Sequence, residues 1–311
     1  MLVIMVISLM MICSSFSYWS MWLGLEMFNF FFIPWLLMEE NHYKSSKIFY
    51  YFIIQVTGSG MMLISFNNIN HIFFYLIFIF SMFVKLGSFP FHSWMIVVVE
   101  NMDWYKFFFF MTLSKLGSIC ILFIFGLPSY IMKVSWGGMI LPIWGMKLFS
   151  LRKMLAYTSI ANISWILTSI SLSKMMTIYY IVLYWSTFYI VCLFLKKMNI
   201  KSLKDLLNSS FSSLKMIAVL SLMGFPPFLG FFPKLMILKM LCMKKMFIES
   251  FIISLISVIP FFFYLKMLIM MFWFFHFKNM SFFCLKEKKL NITIYCLLFF
   301  FCVEFIVFLN V

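Results

Sequence analysis

Charged residues are scarce in this sequence. Only 11% of its 311 residues are charged, 65% are hydrophobic, and the mean hydropathy is +1.07. This composition excludes a soluble globule, because it leaves too little polar surface to cover one of this size. Apolar runs of the roughly 20 residues that a membrane-spanning helix needs recur along the chain. They are longer than the strands of about 10 residues in a membrane barrel, so the sequence predicts an all-α, polytopic membrane protein.

Sequence motifs for cofactors and for hydrolysis are missing. The seven cysteines form no Cys-x-x-Cys pair and do not cluster with histidine, which argues against a zinc or iron–sulfur site. The sequence also has no Gly-rich phosphate loop, nucleophile elbow or His-Glu-x-x-His motif. We therefore predict no metal site and no redox or hydrolytic chemistry in the chain itself. Its cysteines are interpreted as small core residues: Cys13, Cys120, Cys192, Cys242, Cys284, Cys296 and Cys302.

Acidic residues are scarcer than basic ones, with 9 Asp and Glu against 24 Lys and Arg, so that the formal net charge is +15. Most basic residues follow even-numbered predicted spans, and such loops stay on the matrix or cytoplasmic side. The N-terminus is therefore predicted on that side. The excess charge is explained by topology and by attraction to anionic lipid headgroups, without a nucleic-acid partner. The basic residues of these loops are Lys44, Lys47, Lys106, Lys147, Arg152, Lys153, Lys196, Lys197, Lys201, Lys204, Lys278, Lys286, Lys288 and Lys289.

Eleven apolar segments divide the chain, which we interpret as one transmembrane domain over residues 1–311. The first segment has no basic start and runs beyond the roughly 7–15 apolar residues of a cleaved signal, so it is predicted to be a permanent span. The predicted spans are 2–23, 24–38, 48–66, 72–100, 107–127, 130–149, 154–172, 177–195, 215–245, 248–275 and 291–310.

Two of these spans contain proline and are expected to be discontinuous helices. One is interrupted by "GSFPF" at residues 87–91 and the other by "GFPPF" at residues 224–228, and the two motifs share Gly-x-x-Pro-Phe. Each lies near a lysine, Lys85 or Lys234. Paired interruptions in two halves of a chain are typical of inverted-repeat transporters, whose ion sites lie at the breaks. A match this short also arises by coincidence.

Ionisable residues lie inside the apolar segments. Lys115 lies midway along its span, where a charged lysine costs roughly 2.5–3.5 kcal/mol and is about 15 Å from either interface. Glu26 lies near the start of the second predicted span, and Lys85 and Lys234 lie beside the helix breaks. Burial favours the neutral forms of such groups, so a row of them can exchange protons near neutral pH. The alternative is that these lysines pair statically or extend their amines to the interface.

His92 is a further candidate for proton transfer. It follows Lys85 by seven residues and shares its helix face if the helix continues through the break, and histidine titrates in a range that suits a relay. The alternative interpretation is a structural histidine held by hydrogen bonds.

Four segments together resemble one known family, the mitochondrially encoded chain 2 subunits of NADH:ubiquinone oxidoreductase (respiratory complex I). "KLGSFPFHSW" at 85–94 matches the family pattern Lys-Leu-Gly-x-x-Pro-Phe-His-x-Trp. "LSLMGFPPFLGFFPK" at 220–234 is similar to its Leu-Gly-Gly-x-Pro-Pro-x-x-Gly-Phe-x-Pro-Lys element. "GLEMFNFFFIP" at 24–34 and "LRKMLAYTSIANISW" at 151–165 resemble two further elements.

The resemblance implies an antiporter-like, proton-pumping module of eleven helices with two inverted repeats, here about 2–127 and 130–275, and a final helix at about 291–310. It places proton transfer on Glu26, Lys85, Lys115 and Lys234, with His92 in the relay. It implies that this chain binds no cofactor, and that NADH, flavin, iron–sulfur clusters and ubiquinone are used elsewhere in the assembled complex. The implied partners are other membrane-arm subunits, including neighbouring antiporter-like ones, and lipids of the mitochondrial inner membrane.

The sequence departs from the family pattern at several positions. Phe28 separates Met27 from Asn29, Asn162 replaces a histidine, and Ser164 replaces a glycine. "VVVENMD" at 97–103 replaces a Pro-Glu-Val turn. These departures exclude Asn162 from the expected proton relay.

Two rival functions remain open from the sequence. A stand-alone cation/proton antiporter would use the same row of charges without the partner subunits. A membrane-embedded lipid-modifying enzyme would use His92 together with Glu100 or Asp103.

Overall fold

The computed structural model describes residues 1–15, 17–38, 42–67, 69, 71–100, 102–126, 128–145, 147–148, 150–200, 202, 205 and 230–279. This part of the chain is a bundle of α-helices. The helices are α1 (Leu2–Ser14), α2 (Tyr18–Leu37), α3 (His42–Phe66), α4 (Ile72–Leu86), α5 (Ser93–Val99), α6 (Trp104–Phe125), α7 (Ser129–Ser135), α8 (Pro142–Gly145), α9 (Leu151–Leu172), α10 (Lys174–Lys197), α11 (Phe232–Met243) and α12 (Phe247–Asn279).

Five helices in the described ranges are long and apolar enough to cross a membrane, namely α2, residues 45–66 of α3, α6, α9 and α10. The all-α, multi-span prediction is confirmed. The last predicted span, 291–310, and the motif at 224–228 lie outside the described residues.

The boundary between the first two helices was predicted in the wrong place. Helix α1 ends at Ser14 and not at residue 23, and α2 begins at Tyr18. Ser17 precedes it as the N-cap, and its hydroxyl accepts a hydrogen bond from the Ser20 N–H at 3.3 Å. Such a cap satisfies an otherwise unpaired donor of the first turn, so a short serine-rich stretch ends one helix and starts the next. Glu26 consequently lies inside α2, not near its start.

The predicted break in 72–100 is confirmed, whereas the continuous span predicted at 130–149 is wrong. That region contains α7, a 3₁₀ turn at Trp136–Met139 and α8. Its two central glycines permit close packing: a Cβ on Gly137 would lie 2.6 Å from the Phe89 ring, and one on Gly138 would lie 2.4 Å from the Ser164 hydroxyl. The segment is therefore shaped by its neighbours and not by its hydrophobicity.

Helix α9 lies at the centre of the described bundle. It contacts α5, α6, α7, α8, α10 and α11, and most of its residues are buried, including Ser159, Asn162 and Trp165. Most of its serines and threonines donate their hydroxyls back to carbonyls of the preceding turn, as Ser159 does to Ala156 at 2.7 Å. These hydroxyls are thereby satisfied by the backbone of the buried helix itself.

Charged residues near the helix termini lie at both ends of the bundle. At one end, which we call the basic end, the Lys106 amine donates to the carbonyls of Leu36 and Met38, and Arg152 lies over the Trp104 ring. At the other end Lys133 pairs with Glu249 at 2.9 Å. The distribution of basic residues between loops therefore placed Lys106 and Arg152 correctly at one end of the bundle, opposite Lys133.

Candidate functional site

The end of α4 is built around a glycine. Gly87 has φ +62°, a left-handed conformation that costs glycine little, and its N–H donates to carbonyls of the last turn. The Val84 carbonyl accepts a hydrogen bond from the Trp94 indole at 3.1 Å, and the Lys85 carbonyl accepts one from the Gln55 amide at 3.3 Å. Side chains of α5 and α3 thus satisfy the carbonyls released by the break, which makes it tolerable inside a membrane.

Lys85 lies at this break with its side chain in the bundle interior. It is 2% exposed, and in the described part of the chain its amine has no hydrogen-bond partner. Gly58 of α3 makes room for the lysine stem, since a Cβ at Gly58 would lie 2.9 Å from Lys85 Cγ. The Glu26 carboxylate is close enough to act electrostatically on Lys85. The structure therefore brings together these two predicted proton-transfer residues.

Further polar residues surround Glu26 and Lys85, and the sequence analysis missed them. Tyr51 is fully buried, feels the charge of Glu26, and donates its hydroxyl to the Asn29 side chain at 3.3 Å. Gln55 follows Tyr51 by one helical turn and is also buried. The available signal was the presence of Asn29 and Gln55 within apolar helices, where unpaired amides are costly.

Lys115 occupies a different environment. It is 4% exposed, so it faces the interior and not lipid. Its amine contacts the Met111 sulfur at 3.6 Å, and the Ser159 hydroxyl donates to the same sulfur at 3.3 Å. The salt bridges among the described residues do not include Lys115.

Lys234 and His92 belong to other elements of the bundle than Glu26, Lys85 and Lys115. Lys234 lies in the first turn of α11 and is half-buried, and the motif expected to form a break beside it is outside the described residues. His92 precedes α5 and is half-buried, its Nδ1 is 3.1 Å from the Pro90 carbonyl, and its ring faces Phe89 and Trp144. Because α4 ends before the break and α5 starts after it, the shared helix face proposed for Lys85 and His92 does not exist.

Asn162, which the departures from the family pattern excluded from the relay, is buried in α9. Its side-chain oxygen accepts a hydrogen bond from the Tyr180 hydroxyl at 3.0 Å, which ties α9 to α10. This contact accounts for a polar residue at that position without proton transfer.

Glu100, in the loop after α5, joins three elements at the basic end. Its two carboxylate oxygens contact the Lys153 amine at 2.7 Å and the Lys47 amine at 2.9 Å. Hydrogen bonds from Lys153 and Lys47 hold the pKa of the Glu100 carboxyl below its usual value. The loop is thereby attached to α9 and α3. Both carboxylate oxygens of Glu100 pair with lysines, and His92 lies at the opposite end of α5.

A cavity of about 510 Å³ opens at the same end. Lys106, Arg152 and Lys196 line it together with Asp103, and aromatic side chains complete the wall. Lys196 lies over the Tyr105 ring, 4.4 Å from its centroid. Cations among aromatic rings at helix termini are typical of the headgroup level of a membrane.

The cysteines were predicted to be core residues, and this is correct for Cys192 alone among the described ones. Cys13 and Cys242 are exposed, and Cys120 is partly buried. The outer faces of membrane helices contact lipid, so hydrophobic side chains need not be buried in protein there.

Comparison with known proteins extends these observations. A family model described as NADH:quinone oxidoreductase/Mrp antiporter, TM, matches residues 65–260. NADH-ubiquinone oxidoreductase chain 2 of Artemia franciscana is 31% identical over 265 residues, which cover 84% of this chain and 86% of that protein. The protein of the same name from Rhipicephalus sanguineus is 31% identical over 273 residues, with 85% and 86% covered.

Solved structures share the fold. A chain of respiratory complex I from Thermus thermophilus superposes with a TM-score of 0.70 at 16% identity, and the match covers 85% of this chain and 68% of that one. A chain of the Mrp complex from Dietzia sp. superposes with a TM-score of 0.75 at 14% identity, with 85% and 58% covered. Identities this low show the fold alone.

Proposed function

The chain belongs to the NADH-ubiquinone oxidoreductase chain 2 family, and we propose that it is a membrane-arm subunit of respiratory complex I that translocates protons across the mitochondrial inner membrane. The proposed proton-transfer residues are Glu26, Lys85, Lys115 and Lys234, with His92 as a relay. The observation that carries this proposal is the burial of the amines of Lys85 and Lys115, at 2% and 4% exposure, in the interior of an apolar bundle.

Buried amines suit proton transfer for an electrostatic reason. A charged lysine in the bilayer interior is costly, whereas its neutral form is not. A nearby carboxylate favours the charged form, so the charge state of Glu26 affects whether Lys85 holds its proton. Conversely, the charge of each lysine affects the next group, so a change that starts at one site can pass along the row.

Electron transfer takes place elsewhere in this proposal. NADH, flavin, iron–sulfur clusters and ubiquinone are used by other subunits of the complex, and this chain contributes the membrane path for protons. Its partners are neighbouring membrane-arm subunits, including other antiporter-like ones. The likeness to chains of complex I and of an Mrp complex supports this assembly.

The basic end is proposed to face the matrix, with the N-terminus on the same side. The distribution of basic residues between loops supports this orientation. The cavity lined by Lys106, Arg152 and Lys196 offers positive charge to headgroups of anionic inner-membrane lipids.

Native gel electrophoresis of solubilised mitochondria tests the proposal. We expect the chain to migrate with a large assembly that oxidises NADH in the gel, and to be absent from that position when assembly of the complex is blocked. Migration of the chain outside any NADH-oxidising assembly would contradict it.

The similarity to an Mrp chain favours one rival, a stand-alone cation/proton antiporter. The discriminating measurement is sodium- or potassium-driven proton movement in vesicles that contain only the purified chain. We expect none, because the proposed function requires coupling to the other subunits.

A further inference from the structure

Two cysteines from distant parts of the sequence meet between α1 and α6. The sulfurs of Cys13 and Cys120 are 3.2 Å apart, although the residues are separated by 107 positions in the chain. Both are free thiols. A disulfide has an S–S distance of about 2.0 Å, so the two sulfurs need to approach by only about 1.2 Å to bond.

The packing of the two helices holds this pair in place. Gly117 lies one turn before Cys120 in α6, and a Cβ there would lie 2.7 Å from Leu25 Cδ2 and 3.0 Å from Ile12 Cδ1. Ile12 is itself fully buried. Since α1, α2 and α6 interlock next to the two thiols, Cys13 and Cys120 keep the same register whenever the helices are packed.

Exposure distinguishes the two partners. Cys13 lies next to the last residue of α1 and is exposed, whereas Cys120 is partly buried behind it. Both α1 and α6 end away from the basic end of the bundle, so the pair is near one membrane surface and not at the bilayer centre. A small neutral oxidant can therefore reach Cys13 first.

We propose that Cys13 and Cys120 form a disulfide on exposure to hydrogen peroxide. The Cys13 sulfur attacks one peroxide oxygen and the O–O bond breaks, which yields a sulfenic acid and releases water. The Cys120 sulfur then attacks the Cys13 sulfur, the S–OH bond breaks, and a second water leaves with the Cys120 proton. In total two thiols are oxidised and one peroxide is reduced to two waters. The bond links α1 to the helix that carries Lys115.

The other described cysteines lack this arrangement. Cys192 is buried in α10, and Cys242 is exposed with its sulfur 3.6 Å from the Ser250 hydroxyl. They serve as internal controls for buried and exposed thiols in the same molecule.

Mass spectrometry of the assembled complex in native membranes tests the proposal. The membranes are first reduced and then treated with peroxide until Met10, which is 66% exposed and three residues from Cys13, is oxidised to the sulfoxide. We expect a linked peptide that contains Cys13 and Cys120. Its mass should be two hydrogens below the sum of the two thiol peptides, and a reductant should separate it into those peptides. Met10 sulfoxide without this linked peptide, or Cys13 oxidised to a sulfinic acid beside an unmodified Cys120, overturns the proposal.

A pair of variants separates this disulfide from general thiol oxidation. Cys13→Ser should abolish the linked peptide and leave Cys120 open to alkylation, whereas Cys242→Ser should leave the linked peptide unchanged. The wild-type measurement decides the question even if the Cys13 variant does not assemble. This test is independent of proton translocation.

Discussion

Lys85 and Lys115 are both buried lysines, but their surroundings differ. Lys85 lies at the end of α4, next to a helix break, and Glu26 acts on it electrostatically. Lys115 lies in the interior of α6, where its amine contacts the Met111 thioether. Glu26 favours a positive charge on Lys85 without contacting its amine, whereas the salt bridges of the described residues do not include Lys115.

In the proton path proposed above, this difference gives the two lysines different tasks. At Lys85 the balance between the charged and neutral amine depends on Glu26, so this site responds to a neighbouring charge. At Lys115 the ammonium lacks such a partner in the described bundle, so charge there is costly and must be brief. We interpret Lys85 as the site that senses charge and Lys115 as the site that transfers the proton onward.

The largest effect is expected from Lys115→Met, which removes the exchangeable proton and keeps much of the side-chain volume. Proton translocation by the assembled complex should fall by about 10²-fold, the lower range for a positioned acid–base group. Lys115→Arg should also impair it, because a guanidinium does not release its proton. The measurement is proton uptake into vesicles during NADH oxidation. The exposed Lys197→Met is the control, and unchanged pumping in Lys115→Met would contradict the central role of this residue.

Glu26→Gln should change the balance between the charged and neutral forms of Lys85 and leave that of Lys115 unchanged. Because the variant removes a charge that acts on Lys85, we expect translocation to fall roughly tenfold, equivalent to about 1.4 kcal/mol. The pH dependence of translocation should change as well. Glu249→Gln is the matched control, since Glu249 pairs with Lys133 at the end of the bundle opposite the basic end. An equal loss in both variants would indicate a general effect of removing carboxylates.

Gly58→Ala tests the packing of the Lys85 stem. The new methyl group would lie 2.9 Å from Lys85 Cγ, so we expect a loss of about 1–3 kcal/mol in stability from overpacking. Gly60→Ala is the control in the same helix, since a Cβ there meets nothing within 4 Å. It should be neutral or stabilising, because alanine favours a helix over glycine by roughly 0.5–1 kcal/mol. Thermal inactivation of the assembled complex compares the two, and equal midpoints would refute the close fit at Lys85.

The smallest effect is expected at Glu100, which lies outside the membrane interior. Its folded-state pKa is lowered by Lys153 and Lys47, so its contribution to stability is present above the ordinary carboxyl pKa and is lost as the pH falls through the lowered value. Because its side chain is 37% exposed, Glu100→Gln should cost less than about 1 kcal/mol. The difference between wild type and variant in thermal midpoint should be constant near neutral pH and vanish in acid. A difference that grows in acid would contradict this sign.

The helix break at Lys85 was predictable, and the one at residues 129–145 was not. Proline and glycine at 87–91 act through local backbone preferences that are visible in the sequence. The segment 130–149 contains Gly137, Gly138 and Pro142 as local break signals, but the irregular shape that it takes depends on close contacts of the two glycines with Phe89 and Ser164. Such contacts join residues distant in the chain, so no local pattern predicts them.

The candidate site was predictable in part for the same reason. Ionisable residues in apolar segments identified Glu26, Lys85 and Lys115 as unusual, because each carries a large cost in a membrane. Gln55 was noticeable as an amide in an apolar helix, but its position beside Lys85, like that of Tyr51 beside Glu26, was not predictable, because both residues come from a different helix. The location of Glu26 inside α2 also depended on the Ser17 cap, which moved the helix start.

The sequence by itself determined that the chain is a helical membrane protein, that Lys106 and Arg152 lie at the opposite end of the bundle from Lys133, and where α4 breaks. These properties follow from side-chain transfer energies and backbone preferences that each residue carries wherever it lies. Only the tertiary structure decided which side chains interact, because helix packing brings Glu26 near enough to act on Lys85 and places Cys13 against Cys120. Packing depends on shape at close range, as the glycines at 58 and 117 show, and shape is a property of several helices together.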